Sequence, residues 1–392
     1  MTRRTFALIV IFSLTPLGPL AIDIFLPSVP EMLLVFDASE TQMRLVIPIY
    51  IYALGLAQLL GGPVSDHWGR RFSAMIGLSA YAVGSLAAAL APDLGWLYAA
   101  RVMQGLGASF TMVTTFAWVR DSYEGDEAGK WLSYMSGLTG SVPMIAPMLG
   151  GVLAIVWGWQ AAFVLMALAG VLLLLVTPVA LPAGRPVRTN PDTGQVTCNL
   201  NDMARSRPFL VYSCANAATF GAVMTYVSIA PEVAMTLGGM SELPFALTLG
   251  GLGLLQMVFS FAAPRVVRRI GAQATVLTGL GLSVLGGLGL LFTPTGATAA
   301  FFVLAAFGSA GFSLSIGIST GLSLQPFPHC AGLAASVGGF LRMFGGASVV
   351  TVTSMTGLDG PRILAVALLL SLIPFAMVLK ENIIAADQPK VS

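Results

Sequence analysis

The chain has 392 residues, of which 56% are hydrophobic and only 9% charged, with a mean hydropathy of +0.86. Such a composition excludes an ordinary soluble domain and requires a polytopic membrane protein. The net charge of +2 is spread over separate loops, so it points to no nucleic-acid partner.

Apolar runs of membrane-spanning length recur at roughly 6–28, 45–63, 73–91, 96–117, 133–156, 160–181, 209–231, 243–263, 273–292, 298–322, 332–355 and 362–379. They predict an all-α polytopic protein with twelve transmembrane helices. The first run starts just after Arg3 and Arg4 and lacks a small-residue cleavage site followed by a polar mature domain, so it is read as a retained helix. Arg3, Arg4, Arg70, Arg71, Arg120, Lys130, Arg185, Arg188, Arg205, Arg207, Arg265, Arg268, Arg269, Lys380 and Lys390 fall on one side of these spans, against Arg44 and Arg362 on the other. Short basic loops stay in the cytoplasm, which predicts a multi-pass protein with both termini inside. Cys198, Cys214 and Cys330 fall on that same reducing side, where thiols are expected, and no pair has metal-site spacing.

Within the first span, Asp23 follows Pro16, Gly18 and Pro19 and precedes Pro27. An acid in an apolar run is a functional-site candidate unless it is wetted at the interface. The loop after the second span reads GPVSDHWGRR, Gly62 to Arg71. There Gly62 and Gly69 allow close packing and a tight turn, Arg70 and Arg71 anchor the loop, and Asp66 is a carboxylate at a helix end. In the fourth span RVMQGLGAS places Arg101 at about the depth of Asp23, making the two charges candidates to meet. Gln104 lies on the same helical face as Arg101. Arg120 ends that helix and is the expected cationic partner of Asp66. The fifth span carries Gly137, Gly140, Pro143, Pro147, Gly150 and Gly151, a pattern of close approach and bending.

The longest polar interval follows. It predicts an N-terminal six-helix half over 1–181, a cytoplasmic linker at 182–208, a C-terminal six-helix half over 209–380 and a tail at 381–392. APRVVRRIG, Ala263 to Gly271, echoes the first loop without its acid. Arg342, near the middle of the eleventh span, either contacts a polar or anionic substrate or packs against backbone carbonyls. Tyr50, Gln104, Asn216, Tyr226, Gln256 and Arg342 are candidate cavity-lining residues, with Tyr52 and Phe259 as further possibilities.

The loop pattern Gly-x-x-x-Asp-x-x-Gly-Arg-Arg, the fourth-span Arg-x-x-x-Gly-x-Gly and the fifth-span glycines and prolines together resemble the major facilitator superfamily and its drug:proton antiporter branch. AIDIFLPSVPEM, FAWVRDSYEG and WGWQAAF look like the Bcr/CflA group of bacterial drug exporters. His67 departs from that pattern, which usually places a permanent cation after the loop acid. The resemblance implies proton-coupled efflux of small hydrophobic drugs, multidrug or phenicol-type, across the bacterial inner membrane by alternating access. In that scheme Asp23 is the coupling carboxylate, Arg101 its electropositive regulator, and Gly62, Asp66, Gly69, Arg70 and Arg120 form a cytoplasmic gate. The partners are a small-molecule drug, protons and the bilayer; a monomer without cofactor or metal is expected.

Two alternatives stand beside it. A proton-coupled transporter of an endogenous metabolite would use the same fold. The other is a membrane enzyme or a channel: an enzyme would need clustered His, Cys or acidic groups at one depth, and the chain has two histidines, both in cytoplasmic loops, while a channel usually repeats its polar lining by subunit symmetry. Transport driven by nucleotide hydrolysis is not expected, since no Gly-x-x-x-x-Gly-Lys-Ser/Thr loop occurs.

Overall fold

The structure is a computed structural model that describes residues 3–123, 125–181, 200–327 and 330–387. Every regular element among them is helical, as expected where no water is present to satisfy an open backbone. Twelve segments follow one another: α1 (Arg4–Val35), α2 (Val46–Trp68), α3 (Arg70–Ala89), α4 (Leu94–Ser122), α5 (Gly125–Trp157) and α6 (Gln160–Ala180), then α7 (Arg207–Pro231), α8 (Glu242–Ile270), α9 (Ala272–Leu291), α10 (Thr298–Leu324), α11 (Ala331–Ser354) and α12 (Gly360–Glu381).

Eleven of these segments are long and apolar enough to cross a bilayer, and α4 is the exception. It is long enough, at 29 residues, but it carries Arg101, Gln104, Ser109, Thr111, Thr114 and Thr115. All six are buried, so the polar groups that lower its hydropathy face protein.

The helices overrun the apolar stretches that announce them. α2 continues past Pro63 to Trp68, because a helix entering the interface still bonds its own backbone. α1 is broken into Arg3–Leu14, Leu17–Asp23, a 3-10 turn at Leu26–Ser28 and Val29–Val35. Pro16 and Pro27 stand at the breaks, where a missing N–H and a ring clash interrupt the hydrogen-bond ladder.

The chain divides into two compact units. Unit 1 comprises Met1–Gly194 and Ala234–Leu254, and unit 2 comprises Gln195–Val233 and Leu255–Ser392. The segment 234–254, assigned by sequence to the C-terminal half, thus groups with unit 1, where Gly250 and Gly253 of α8 pack on Pro143 and Met144 of α5. Most of the expected linker, 182–199, lies outside the described residues; its end forms a short helix at Leu200–Arg205. The expected tail continues as helix to Asp387. Cys214 is a free thiol, whereas Cys330 is disulfide-bonded, against the expectation of thiols throughout. Cysteine pairing does not follow from loop assignment.

Each unit repeats one construction. α2 and α3 join through the single residue Gly69 at φ 92°, and α8 and α9 through Gly271 at φ 87°. Both lie where a side chain is strongly disfavoured. The N–H of Gly69 bonds to Ser65 O at 3.1 Å, and that of Gly271 to Val267 O at 2.8 Å. In unit 1 α3 meets α4 at Gly77, where a Cβ would stand 2.9 Å from the carbonyl oxygen of Gly107; in unit 2 a Cβ on Gly279 of α9 would stand 2.6 Å from that of Gly311 on α10. Matching turns and matching glycine contacts are the mark of two parallel six-helix repeats.

Candidate functional site

Asp23 ends the short helix Leu17–Asp23 and is 5% exposed. Its carboxyl group makes no hydrogen bond or ion pair among the described residues. Arg101 is fully enclosed, yet it does not pair with Asp23. Its Nη1 donates to Ala21 O at 2.8 Å and to Gln104 Oε1 at 2.5 Å, and its Nε lies 3.4 Å from Val46 O. The last carbonyls of a helix lack intrahelical donors and carry partial negative charge. Arg101 therefore caps the helix that ends at Asp23, which corrects the expectation that the two charges meet.

The network continues away from the arginine. Gln104 Nε2 donates to Ser85 Oγ at 2.8 Å, and Ser85 donates to Tyr81 O at 2.7 Å. Tyr81 in turn donates to Leu17 O at 2.9 Å, and Tyr50 to Gly18 O at 2.8 Å. The rings of Tyr50 and Phe25 lie 4.4 Å and 5.1 Å from Arg101 Cζ, close enough for cation–π attraction. Tyr50 and Gln104 are thus internal supports with no exposed surface, not cavity-lining residues. Tyr81 and Ser85 escaped the sequence reading. Their signal was two hydrogen-bonding side chains four residues apart in one span, hence on one helical face.

Gly150 and Gly151 carry the close approach of the fifth-span motif. A Cβ on Gly150 would collide with the carbonyl oxygen of Ile24, the residue after Asp23, and one on Gly151 would stand 3.0 Å from Ala246 Cβ. Gly137 and Gly140 face open space, so they hold nothing together in this arrangement. Pro143 and Pro147 lie inside α5, and the Pro143 level is where Gly253 of α8 approaches.

At the α2–α3 turn, Asp66 does not pair with Arg120. Arg70 Nη1 bonds to Asp66 Oδ1 at 2.6 Å and to Ser65 Oγ at 2.8 Å, while its Nε bonds to Asp121 Oδ2 at 2.7 Å. Arg120 is exposed and takes no part, because its neighbour Asp121 occupies the helix face toward α3. Arg70 thus fastens the end of α2, the start of α3 and the end of α4. Gly62 has open space around it, whereas Gly69 supplies the turn that aims Arg70.

In unit 2 Asn216 is buried and donates to Thr320 Oγ1 at 3.2 Å. Tyr226 is buried against Phe301 and Phe302. Gln256 is partly exposed on α8. Arg342 is partly exposed on α11, with its Cζ 6.0 Å from the Phe220 ring centroid.

Residues 11–350 match the family model described as Major Facilitator Superfamily. The Multidrug resistance protein MdtL of Salmonella paratyphi C (strain RKS4594) is 27% identical over 362 residues, covering 90% of this chain and 89% of the relative. The protein of the same name from Escherichia coli O45:K1 (strain S88 / ExPEC) is 28% identical over 351 residues, with the same coverage. Among solved structures, a D-xylose-proton symporter matches with a TM-score of 0.76 at 16% identity, covering 96% of this chain and 97% of that one. An inward-facing, unoccupied bacterial homologue of the human lysosomal transporter Spinster matches with a TM-score of 0.75 at 16% identity, covering 98% and 96%. At such identities the structures show a shared fold.

Proposed function

The chain belongs to the Major Facilitator Superfamily, and from that premise we propose that it exports small hydrophobic drugs from the bacterial cytoplasm in exchange for protons. Membership in a transporter superfamily sets aside the membrane-enzyme alternative. The observation that carries the reading is Asp23: a buried carboxyl group without an ionic partner, at the end of a short helix in a broken span. A carboxyl group so placed takes up or releases a proton as its surroundings change.

Arg101 holds the carbonyl of Ala21, and Gly150 leaves room for that of Ile24. Both fix the backbone on either side of Asp23, so movement of α4 or α5 alters what the carboxyl group meets. Alternating access then links proton release on one side to drug release on the other, with the Arg70 cluster stabilising one arrangement from the cytoplasmic side. Placement in the inner membrane with cytoplasmic termini rests on the distribution of basic residues. The description of the MdtL relatives as multidrug resistance proteins supports the substrate class.

The test is accumulation of chloramphenicol in cells lacking their own exporters. Expression of the chain should lower accumulation, and a protonophore should abolish the difference. A reduction that persists after the gradient collapses contradicts proton coupling.

A further inference from the structure

We propose that unit 2 holds a recognition site for the carboxylate of an aromatic substrate, formed by Arg342 with Phe220 and Asn216. The proposal deepens the export reading and rests on it, by naming a chemical class that the neutral phenicols do not represent.

Arg342 is the twelfth of the twenty-four residues of α11 and so stands mid-span. A cation there is costly unless it is paired or hydrogen-bonded. Arg101 meets that requirement through Nε and Nη1, with two carbonyls and an amide, although its Nη2 is enclosed without a partner. Arg342, partly exposed, makes no hydrogen bond or ion pair among the described residues, and its Nε is enclosed without a partner. The acids of unit 2 cannot neutralise it. No Asp or Glu occurs within α7, α9, α10, α11 or the unit 2 part of α8.

The register of α7 against α11 locates what faces this charge. Gly338 lies opposite Phe209, Gly345 opposite Ala217, and Gly346 against the Phe220 ring. Residue 342 is therefore level with 213–216 of α7. There Asn216 donates to Thr320 on α10, while its Oδ1 is buried without a partner in a residue 5% exposed. One helical turn on, Phe220 offers its ring to Arg342 and lies 6.2 Å from that of Phe312.

An unpaired guanidinium, an aromatic face and a free acceptor thus share one level of one unit. A planar guanidinium matches a carboxylate through two parallel hydrogen bonds. The other cations of unit 2 sit at or near helix ends, so a single negative charge fits and a multivalent anion does not. The rings suit an aromatic body, and Asn216 Oδ1, enclosed here without a donor, lacks the partner that a hydroxyl or amine beside the acid would supply.

The test uses the full chain in lipid nanodiscs at neutral pH with 2-naphthoate and its uncharged isostere 2-naphthamide. Wild type should bind the anion about tenfold more tightly, the scale of one buried charge-assisted contact. Arg342→Gln should narrow the difference to within about twofold, and Arg342→Lys should retain part of it. Melting temperatures of both variants show that the fold is intact. Equal affinities in wild type, failure to bind either probe, or a preference that survives Arg342→Gln each overturn the proposal. Chloramphenicol export measured in parallel separates the two readings. A lost export with an intact preference for the anion removes the drug-export reading alone, and normal export without the preference removes this site alone.

Discussion

Arg101 donates to the carbonyl oxygen of Ala21 at 2.8 Å, two residues before Asp23, and forms no ion pair with the Asp23 carboxylate. A cation placed in this way acts on the acid through the backbone that carries it. The helix Leu17–Asp23 is short, interrupted at both ends, and held from the side by Arg101, Tyr50 and Tyr81.

Arg101→Ala should therefore destabilise the protein as well as impair transport. It leaves Ala21 O and Gln104 Oε1 without their donor in a buried site, at about 1–3 kcal/mol for each unsatisfied group. Thermal melting in detergent checks this. Arg101→Lys should recover part of the stability, since one ammonium cannot reproduce the planar fork. An unchanged melting temperature for Arg101→Ala contradicts the capping role.

Gly150→Ala and Gly140→Ala should separate sharply. The first introduces a methyl group into the carbonyl of Ile24, whereas the second places one in open space. Overpacking of this kind typically costs about 1–3 kcal/mol, and it falls beside Asp23. Melting curves with chloramphenicol transport should show Gly150→Ala impaired in both and Gly140→Ala near wild type. Equal behaviour of the two variants contradicts the packing described.

Arg70 has two acidic partners, so the loss of either should be mild. Asp66 and Asp121 are substantially exposed at 67% and 44%, and an exposed ion pair contributes about 0–1 kcal/mol. Asp66→Asn and Asp121→Asn should each reduce turnover a few-fold at most. Arg70→Ala, which releases Ser65, Asp66 and Asp121 together, should reduce it more than the sum of the two. Initial transport rates of the three variants decide the point. A severe Asp66→Asn beside a mild Arg70→Ala contradicts the assignment of Arg70 as the hub.

Much of this was legible in the sequence. The twelve apolar runs locate twelve helices, since span length is fixed by the bilayer. The Gly69 turn could be read because a one-residue connection between helices demands a conformation that glycine alone adopts freely. The partners of charged groups were less legible. Arg120 and Asp121 are adjacent, and a rotation of about 100° between neighbours decides which one reaches Arg70. The same limit applies to Tyr50 and Gln104, polar residues in apolar spans that spacing alone places equally well against a cavity or inside the bundle. Gly137 and Gly140 differ from Gly150 in what stands opposite them, and a motif of small residues does not say which of its members is covered.

The central claim is that protonation of Asp23 and binding of drug are linked. Proton release on drug addition to the purified protein, followed in weakly buffered detergent solution with a pH indicator, tests it most directly. Wild type should release protons as chloramphenicol is added, and Asp23→Asn should release none while still binding the drug. Proton release by Asp23→Asn at the wild-type level would contradict the account.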